Sequence, residues 1–198
     1  LLLLVAMLLG NLANAGQQGA SQLSLVARST ARPAIPAITP EQQQWLNARH
    51  ELVIGTSAPD YPPFDISSGG RDYQGLTAEY ASLLGKALDL PVRVLRYSSR
   101  QTALQALKQG DIDLLGSANG YDANYEGVVL SHAYAIDQPV LVTREDEHRA
   151  LDTGLSGMRL GMLYHYLPRK EVLSVYPDAK VLAFGSSSEA LNAVAFGQ

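Results

Sequence analysis

Leu52-Val-Ile-Gly-Thr-Ser-Ala-Pro-Asp-Tyr-Pro-Pro-Phe64, followed after a short polar loop by Gly75-Leu-Thr-Ala-Glu79, is the stretch from which the rest of the chain can be read. Leu52 to Thr56 is aliphatic and β-branched, which predicts a buried strand. Pro59, Pro62 and Pro63 stop it, because proline brings no amide to a ladder. Proline also fixes φ and biases the preceding residue toward extended backbone, so Tyr61 is held extended and Phe64 leaves a stiffened turn. Taken alone, the turn fits two readings. It is a hydrophobic plug under a loop, or a rigid aromatic wall that meets a ligand at small entropic cost.

Composition narrows the classes. A chain of 198 residues holds one good core or two small lobes, and 46% hydrophobic with 17% charged residues is the balance of a folded chain, not a disordered one. A net charge of −4 with scattered Lys and Arg leaves no basic stripe for a phosphate backbone, so nucleic acid is not an expected partner. With no cysteine, a disulfide framework, a thiolate metal site and a cysteine nucleophile are all excluded. Leu1 to Leu9 is an apolar run too short to span a bilayer, and Ala13-Asn-Ala15 puts small residues where a signal peptidase needs them. Residues 1–15 therefore read as a secretory signal peptide, clipped at its start. A buried N-terminal helix is the alternative, but no amphipathic period supports it. Export to a periplasm is expected.

From Gly16 to about Pro40 the chain turns to Gln, Ser, Ala and Pro, which reads as an extended leader without a packed period. Thr39-Pro40-Glu41 then opens a short helix through Trp45 and Leu46, with Thr39 as N-cap, and completes a leader region over 16–49. Beyond the first strand, Leu76, Tyr80, Leu83, Leu84, Ala87 and Leu88 form one stripe of an amphipathic helix that Pro91 ends. Val92 to Tyr97 reads as a strand. Ser99 caps a helix carrying Ala103, Leu104 and Leu107, and Gly110 closes it before a third strand at Ile112, Leu114 and Leu115. The order β, α, β, α, β implies a mostly parallel sheet with crossover helices. In such sheets ligands sit beyond the carboxyl ends of the strands. The turns after Thr56, Tyr97 and Leu115 are therefore expected to converge on one crevice.

A second α/β series follows, with strands expected at Pro139–Thr143, Met158–Leu163 and Val181–Phe184. A helix is expected near Pro168–Val175, and another is capped by Ser186 to Ser188. The organisation read from this is an α/β two-lobed clamshell with lobe 1 over 50–138, then a hinge and partial lobe 2 over 139–198, the second lobe incomplete. Asp111 and Asp113 flank a buried Ile112, a spacing that sends one carboxylate to solvent and the other to neighbouring backbone rather than to acid/base work. His50, His132, His148 and His165 are too scattered for a metal site. No catalytic residue, metal or cofactor is assigned.

Several motifs in order carry a family resemblance: Tyr61-Pro-Pro-Phe64, Gly75-Leu-x-Ala-Glu79, Ala103 through Asp113, Ser131-His-Ala-Tyr134, Leu155 through Gly161, and Ser188 through Gly197. The chain from about residue 50 onward resembles family 3 of the bacterial extracellular solute-binding proteins. The lead-in Ile38 to His50 resembles that of solute-binding domains fused to BvgS-type sensor histidine kinases. This resemblance implies a periplasmic-binding-protein-like fold that holds a small polar solute between its lobes and signals by closure. Its parent would be anchored in the inner membrane, with a second such domain, a histidine kinase region and a homodimeric state. A free solute-binding component of an ABC-type uptake transporter is the alternative. An enzyme built on the clamshell, such as a dehydratase or a lytic transglycosylase, is a third. The solute contacts implied are Tyr61, Phe64, Ser117, Asn119 and Asn124 from lobe 1, and Tyr164 and His165 from lobe 2. Family members that bind amino acids place an arginine where this chain has Asn124. An amide brings no charge to a carboxylate, so Arg71, Arg100 or Arg144 would have to be brought in to replace it.

Overall fold

Aliphatic runs in the first two thirds of the chain assemble one six-stranded sheet. The computed structural model describes residues 19–136, 140–151, 154–163 and 167–198. The chain divides into two units, the first ending at Leu130 and the second spanning Ser131–Gln198. In the first unit the strands are β1 (Ala20–Leu25), β2 (Leu52–Ser57), β3 (Ile66–Ser68), β4 (Asp72–Gln74), β5 (Val92–Tyr97) and β6 (Leu114–Leu115), and the helices are α1 (Pro40–Asn47), α2 (Leu76–Leu88) and α3 (Arg100–Gln109). The sheet order is β3-β4-β1-β5-β2-β6.

β2 lies between two parallel neighbours, with Ile54 in register with Val94 of β5 and Leu114 of β6, which is the crossover arrangement expected. Side chains alternate across this sheet, so its two faces build separate cores. Val53, Leu95 and Tyr97 pack with Ala103, Ala106 and Ile112 on the α3 side. Leu52 and Ile54 pack with Ala81, and Leu23, Tyr73 and Val94 with Ala78, on the α2 side. Burial also pushes the Tyr97 hydroxyl above its ordinary pKa, with the Asp111 charge adding to the effect.

The leader departs from the expectation. Ala20–Leu25 is a strand of the sheet, antiparallel to β5 (Leu23 opposite Val94) and parallel to β4 (Leu25 opposite Tyr73). Only Leu23 of its six residues is buried, so backbone pairing rather than an apolar pattern makes the strand. Beyond it, the Arg28 and Ser29 amides each donate to the Glu79 carboxylate of α2 at 2.8 Å, and these bonds hold Glu79 below its ordinary pKa of 4.5. The polar loop between Phe64 and Gly75 is also more ordered than read. It is the β3–β4 hairpin, and Tyr73 at its centre is fully buried.

α2 begins and ends as expected but turns a different face to the sheet. Thr77, Ala78, Ala81 and Gly85 are buried, whereas Tyr80 and Leu84 of the leucine-rich stripe are 43% and 37% exposed. The small residues win because the helix approaches closely: a β-carbon on Gly85 would stand 2.5 Å from Val92 Cγ2 and 2.9 Å from the Leu90 carbonyl. α1 carries the expected cap as a reciprocal capping box, Gln42 amide to Thr39 Oγ1 at 3.3 Å and Thr39 amide to Gln42 Oε1 at 2.9 Å. Asp113 is the backbone-directed member of its pair, accepting from the Val53 amide at 2.9 Å and pairing with Arg49 at 2.9 Å.

In the second unit β7 (Arg159–Leu163) and β8 (Lys180–Phe184) pair in parallel around α4 (Arg169–Val175), and α5 (Ser187–Ala195) follows with Ser186 as its N-cap. The strand expected at Pro139–Thr143 is corrected. Pro139 lies outside the described residues, and Val140 to Thr143 is irregular, with Val140 80% exposed. An aliphatic run makes a strand only where a neighbour accepts its ladder, and none of the described strands pairs with it.

Candidate functional site

Because β2, β5 and β6 are parallel, Ser57, Tyr97 and Leu115 end at one edge of the sheet, and the residues just past β2 and β6 bond back to the neighbouring strands there. The Ala58 amide donates to the Tyr97 carbonyl at 2.9 Å, and the Gly116 amide to the Gly55 carbonyl at 2.9 Å. The aromatic turn closes on itself: Tyr61 N–H donates to Asp65 O at 2.8 Å, and Phe64 and Asp65 N–H return to Tyr61 O at 2.8 and 2.9 Å. Tyr61 and Phe64 stack, with ring centroids 5.3 Å apart and planes 17° from parallel, and both are half-buried. Asp60 anchors the turn from below. It accepts from the Ser67 amide and hydroxyl at 2.7 and 2.6 Å and from Arg96 Nη2 at 3.0 Å.

The turn also caps α2, because the Leu76 and Thr77 amides donate to Pro63 O and Phe64 O at 3.0 and 3.2 Å. Gly75 makes this possible. Its φ is +105°, and a β-carbon there would meet both of those carbonyl oxygens inside contact distance. Behind the turn sits a polar floor. The Tyr73 hydroxyl donates to the buried Asp65 carboxylate, and Thr77 Oγ1 and Ser117 Oγ are 2.9 Å apart. A β-carbon on Gly116 would lie 3.0 Å from the Tyr73 hydroxyl and 3.3 Å from Asp65, which places the turn after β6 against the same floor.

Arg100, the first residue of α3, fastens that turn. Its Nη1 and Nη2 donate to the Gly116 and Ser117 carbonyls at 2.9 and 3.2 Å, and its Nε and Nη2 grip the buried Asp122 carboxylate at 3.0 and 2.6 Å. The second Asp122 oxygen also accepts the Asn119 amide at 2.8 Å. Ser117 is thereby held at φ +50°, a left-handed conformation that a non-glycine residue keeps only when its surroundings over-determine it.

The expected contacts divide accordingly. Tyr61, Phe64 and Ser117 come together around the Asp65 floor. Asn119 and Asn124 are exposed and belong to the adjoining turn. The Asn119 side chain accepts the Tyr121 amide at 2.8 Å, and Asn124 ends the 3₁₀ turn Asp122–Asn124. Tyr164 and His165 lie outside the described residues. Of the candidate substitute cations, Arg100 is in place, with its charge paired to Asp122 and four of its five N–H donors committed. Arg71 sits at the exposed hairpin tip, and Arg144 in the second unit pairs with Asp146 at 3.1 Å. Asp65, Thr77 and Asp122 join the candidate site through these hydrogen bonds and were not singled out from the sequence. An apolar groove of about 480 Å³, walled by Ile38, Trp45, Leu46 and Leu88, lies elsewhere, between the leader, α1 and the end of α2.

Residues 52–193 match the model of the bacterial extracellular solute-binding proteins, family 3. The chain belongs to that family. This solute-binding domain is 39% identical over 181 residues, 91% of its length, to the virulence sensor protein BvgS of Bordetella pertussis, and 24% identical over 160 residues to the sensor protein EvgS of Escherichia coli O157:H7. It spans 14% of that BvgS and 13% of that EvgS. Among solved structures it superposes on the B. pertussis BvgS periplasmic domain with a TM-score of 0.76 at 39% identity, covering 90% of this chain and 34% of that one. The fold is the α/β Venus flytrap, the periplasmic-binding-protein-like clamshell fold expected. No helix among the described residues is long and apolar enough to cross a membrane.

Proposed function

We propose that the chain is the solute-sensing part of a periplasmic region whose parent is a membrane-anchored sensor histidine kinase. On this reading, the carboxyl-edge crevice of the first unit is one wall of the solute site. The observation that carries it is the bonding of three strand-end segments into a single rigid wall, with the stacked Tyr61–Phe64 pair over the Asp65–Thr77–Ser117 floor, in a chain 39% identical to a periplasmic sensor domain. A prestiffened aromatic wall suits binding because little freedom is left to lose. Tyr61, Phe64 and Ser117 form the wall and Asn119 and Asn124 its rim. The segment performs no chemistry itself. Solute biases the sensor only so far as it binds one conformation more tightly than another.

The test is a calorimetric screen of amino acids, polyamines and organic acids on the purified full-length gene product, with Tyr61→Ala alongside. A solute bound by the wild type and lost in the variant is expected. Undiminished binding in Tyr61→Ala overturns the assigned wall.

A further inference from the structure

We infer that the first unit's wall rejects carboxylates: Arg100 is a positioning residue rather than a ligand receptor, and the solutes this wall takes present an amine or neutral donor group and an apolar or ring portion. This rests on the proposed site and names its solute class. A carboxylate entering the crevice is best met by an unpaired cation, and the described guanidiniums beside the crevice, Arg96 and Arg100, are each already paired with a carboxylate. Arg100 gives Nε and Nη2 to Asp122, Nη1 to Gly116 O and a further Nη2 bond to Ser117 O, so its charge is matched and four of its five N–H donors are committed. Arg96 is paired with Asp60. Arg71 stands at the far end of the hairpin from Gln74, about 10 Å along the strand at 3.3 Å per residue.

What the crevice does offer has the opposite preference. The Asp65 carboxylate is 5% exposed and adds negative charge beneath the turn, the Ser117 and Gly116 carbonyl oxygens are already accepting, and the stacked rings of Tyr61 and Phe64 present an apolar and π surface. A second anion beside Asp65 meets repulsion in a half-buried site, whereas an amine meets attraction.

The experiment uses matched pairs that differ by one carboxylate: agmatine against arginine, tyramine against tyrosine, putrescine against ornithine. They are titrated calorimetrically into the full-length gene product. The expected result is that, for at least one pair, the amine binds about tenfold or more tighter than its acid, and that Tyr61→Ala abolishes this binding. Asp122→Asn, which removes the counter-charge but keeps the shape, is expected to unmask Arg100 and narrow the preference. Arg100→Gln, the second variant, is expected to weaken both members of a pair alike, because a positioning residue acts through the Ser117 turn. Tighter binding of the acid, or an Arg100→Gln variant that weakens the acid alone, overturns the inference and leaves the site standing. Absence of binding by every pair overturns the site reading, and the inference falls with it.

Discussion

The Thr77 amide donates to the Phe64 carbonyl at 3.2 Å, so the turn that carries the aromatic pair is also the N-terminal cap of α2. Wall and helix are one mechanical piece, joined at Gly75. Substitution of Gly75 by alanine must fit a β-carbon against the Pro63 and Phe64 carbonyls at φ +105°. The backbone penalty is about 1–3 kcal/mol and the overlap costs about as much again, so Gly75→Ala is expected to destabilise the first unit by roughly 2–6 kcal/mol in urea unfolding. A loss below about 0.5 kcal/mol would mean that the turn yields freely and is no rigid wall.

Leu23 makes the leader part of the fold. It is 3% exposed and packs with Tyr73, Ala78 and Val94, while β1 joins the β5 edge to the hairpin. Leu23→Ala is expected to cost about 2–4 kcal/mol in thermal or urea unfolding, as for other buried leucines. A neutral outcome would show that the strand is an ornament on an independent sheet.

The parallel core was legible because aliphatic runs, proline stops and Gly110 punctuate it at every boundary. β1 was not, since Ala-Ser-Gln-Leu-Ser-Leu has one buried side chain and owes its place to an open edge on β5. The face of α2 was misjudged for a related reason. Hydropathy ranks leucine above alanine and glycine, but a helix pressed onto a sheet selects for size. At the candidate site, the placement of Tyr61 and Phe64 in a strand-end turn was legible through local stiffness, and that of Ser117 through its place after a strand. Asp122 and Arg100 are 22 residues apart and meet only once α3 and the turn after β6 are in place, so no local pattern marks them.

Asp122 and Asp60 both pair with arginines near the carboxyl edge of the sheet, and burial separates their worth. The Asp122 side chain is 7% exposed against 33% for Asp60. Removal of a buried partner leaves a charge uncompensated at about 3–5 kcal/mol, reduced here because Arg100 is a quarter exposed, so Asp122→Ala is expected to cost about 2–4 kcal/mol. Asp60→Ala loses a more solvated pair and two hydrogen bonds to Ser67, about 1–2 kcal/mol. Equal losses in parallel unfolding curves would refute this ranking.

Glu79 makes the attachment of residues 28–29 pH-dependent. The Arg28 and Ser29 amides hold its carboxylate below the ordinary value of 4.5. A group depressed on folding contributes stability that is fully present above its unfolded pKa and is lost as pH falls through the folded one. Amide exchange at Arg28 and Ser29, corrected for intrinsic rates, is therefore expected to show constant protection from neutral pH down to about 5 and to lose it below 4.5. Glu79→Gln is expected to weaken that protection already at neutral pH. Protection that persists in the acid range would mean the segment is held by something other than this carboxylate.

Gly85 tests whether proximity or propensity governs α2. Alanine in place of glycine inside a helix gains about 0.5–1 kcal/mol by restricting the unfolded chain. Here the added β-carbon would stand 2.9 Å from the Leu90 carbonyl oxygen, which is backbone, and 2.5 Å from Val92 Cγ2, on a β-branched side chain with little room to rotate. Overpacking of this kind costs about 1–3 kcal/mol, more than the propensity gain, so Gly85→Ala is expected to be destabilising by about 1–2 kcal/mol. The double variant Gly85→Ala with Val92→Ala separates the two contacts: recovery of stability beyond that expected from Val92→Ala alone assigns the clash to the side chain, and no recovery assigns it to the Leu90 carbonyl. A stabilising Gly85→Ala would show that the helix can lift from the sheet, and the buried face of Thr77, Ala78 and Ala81 would then need another explanation.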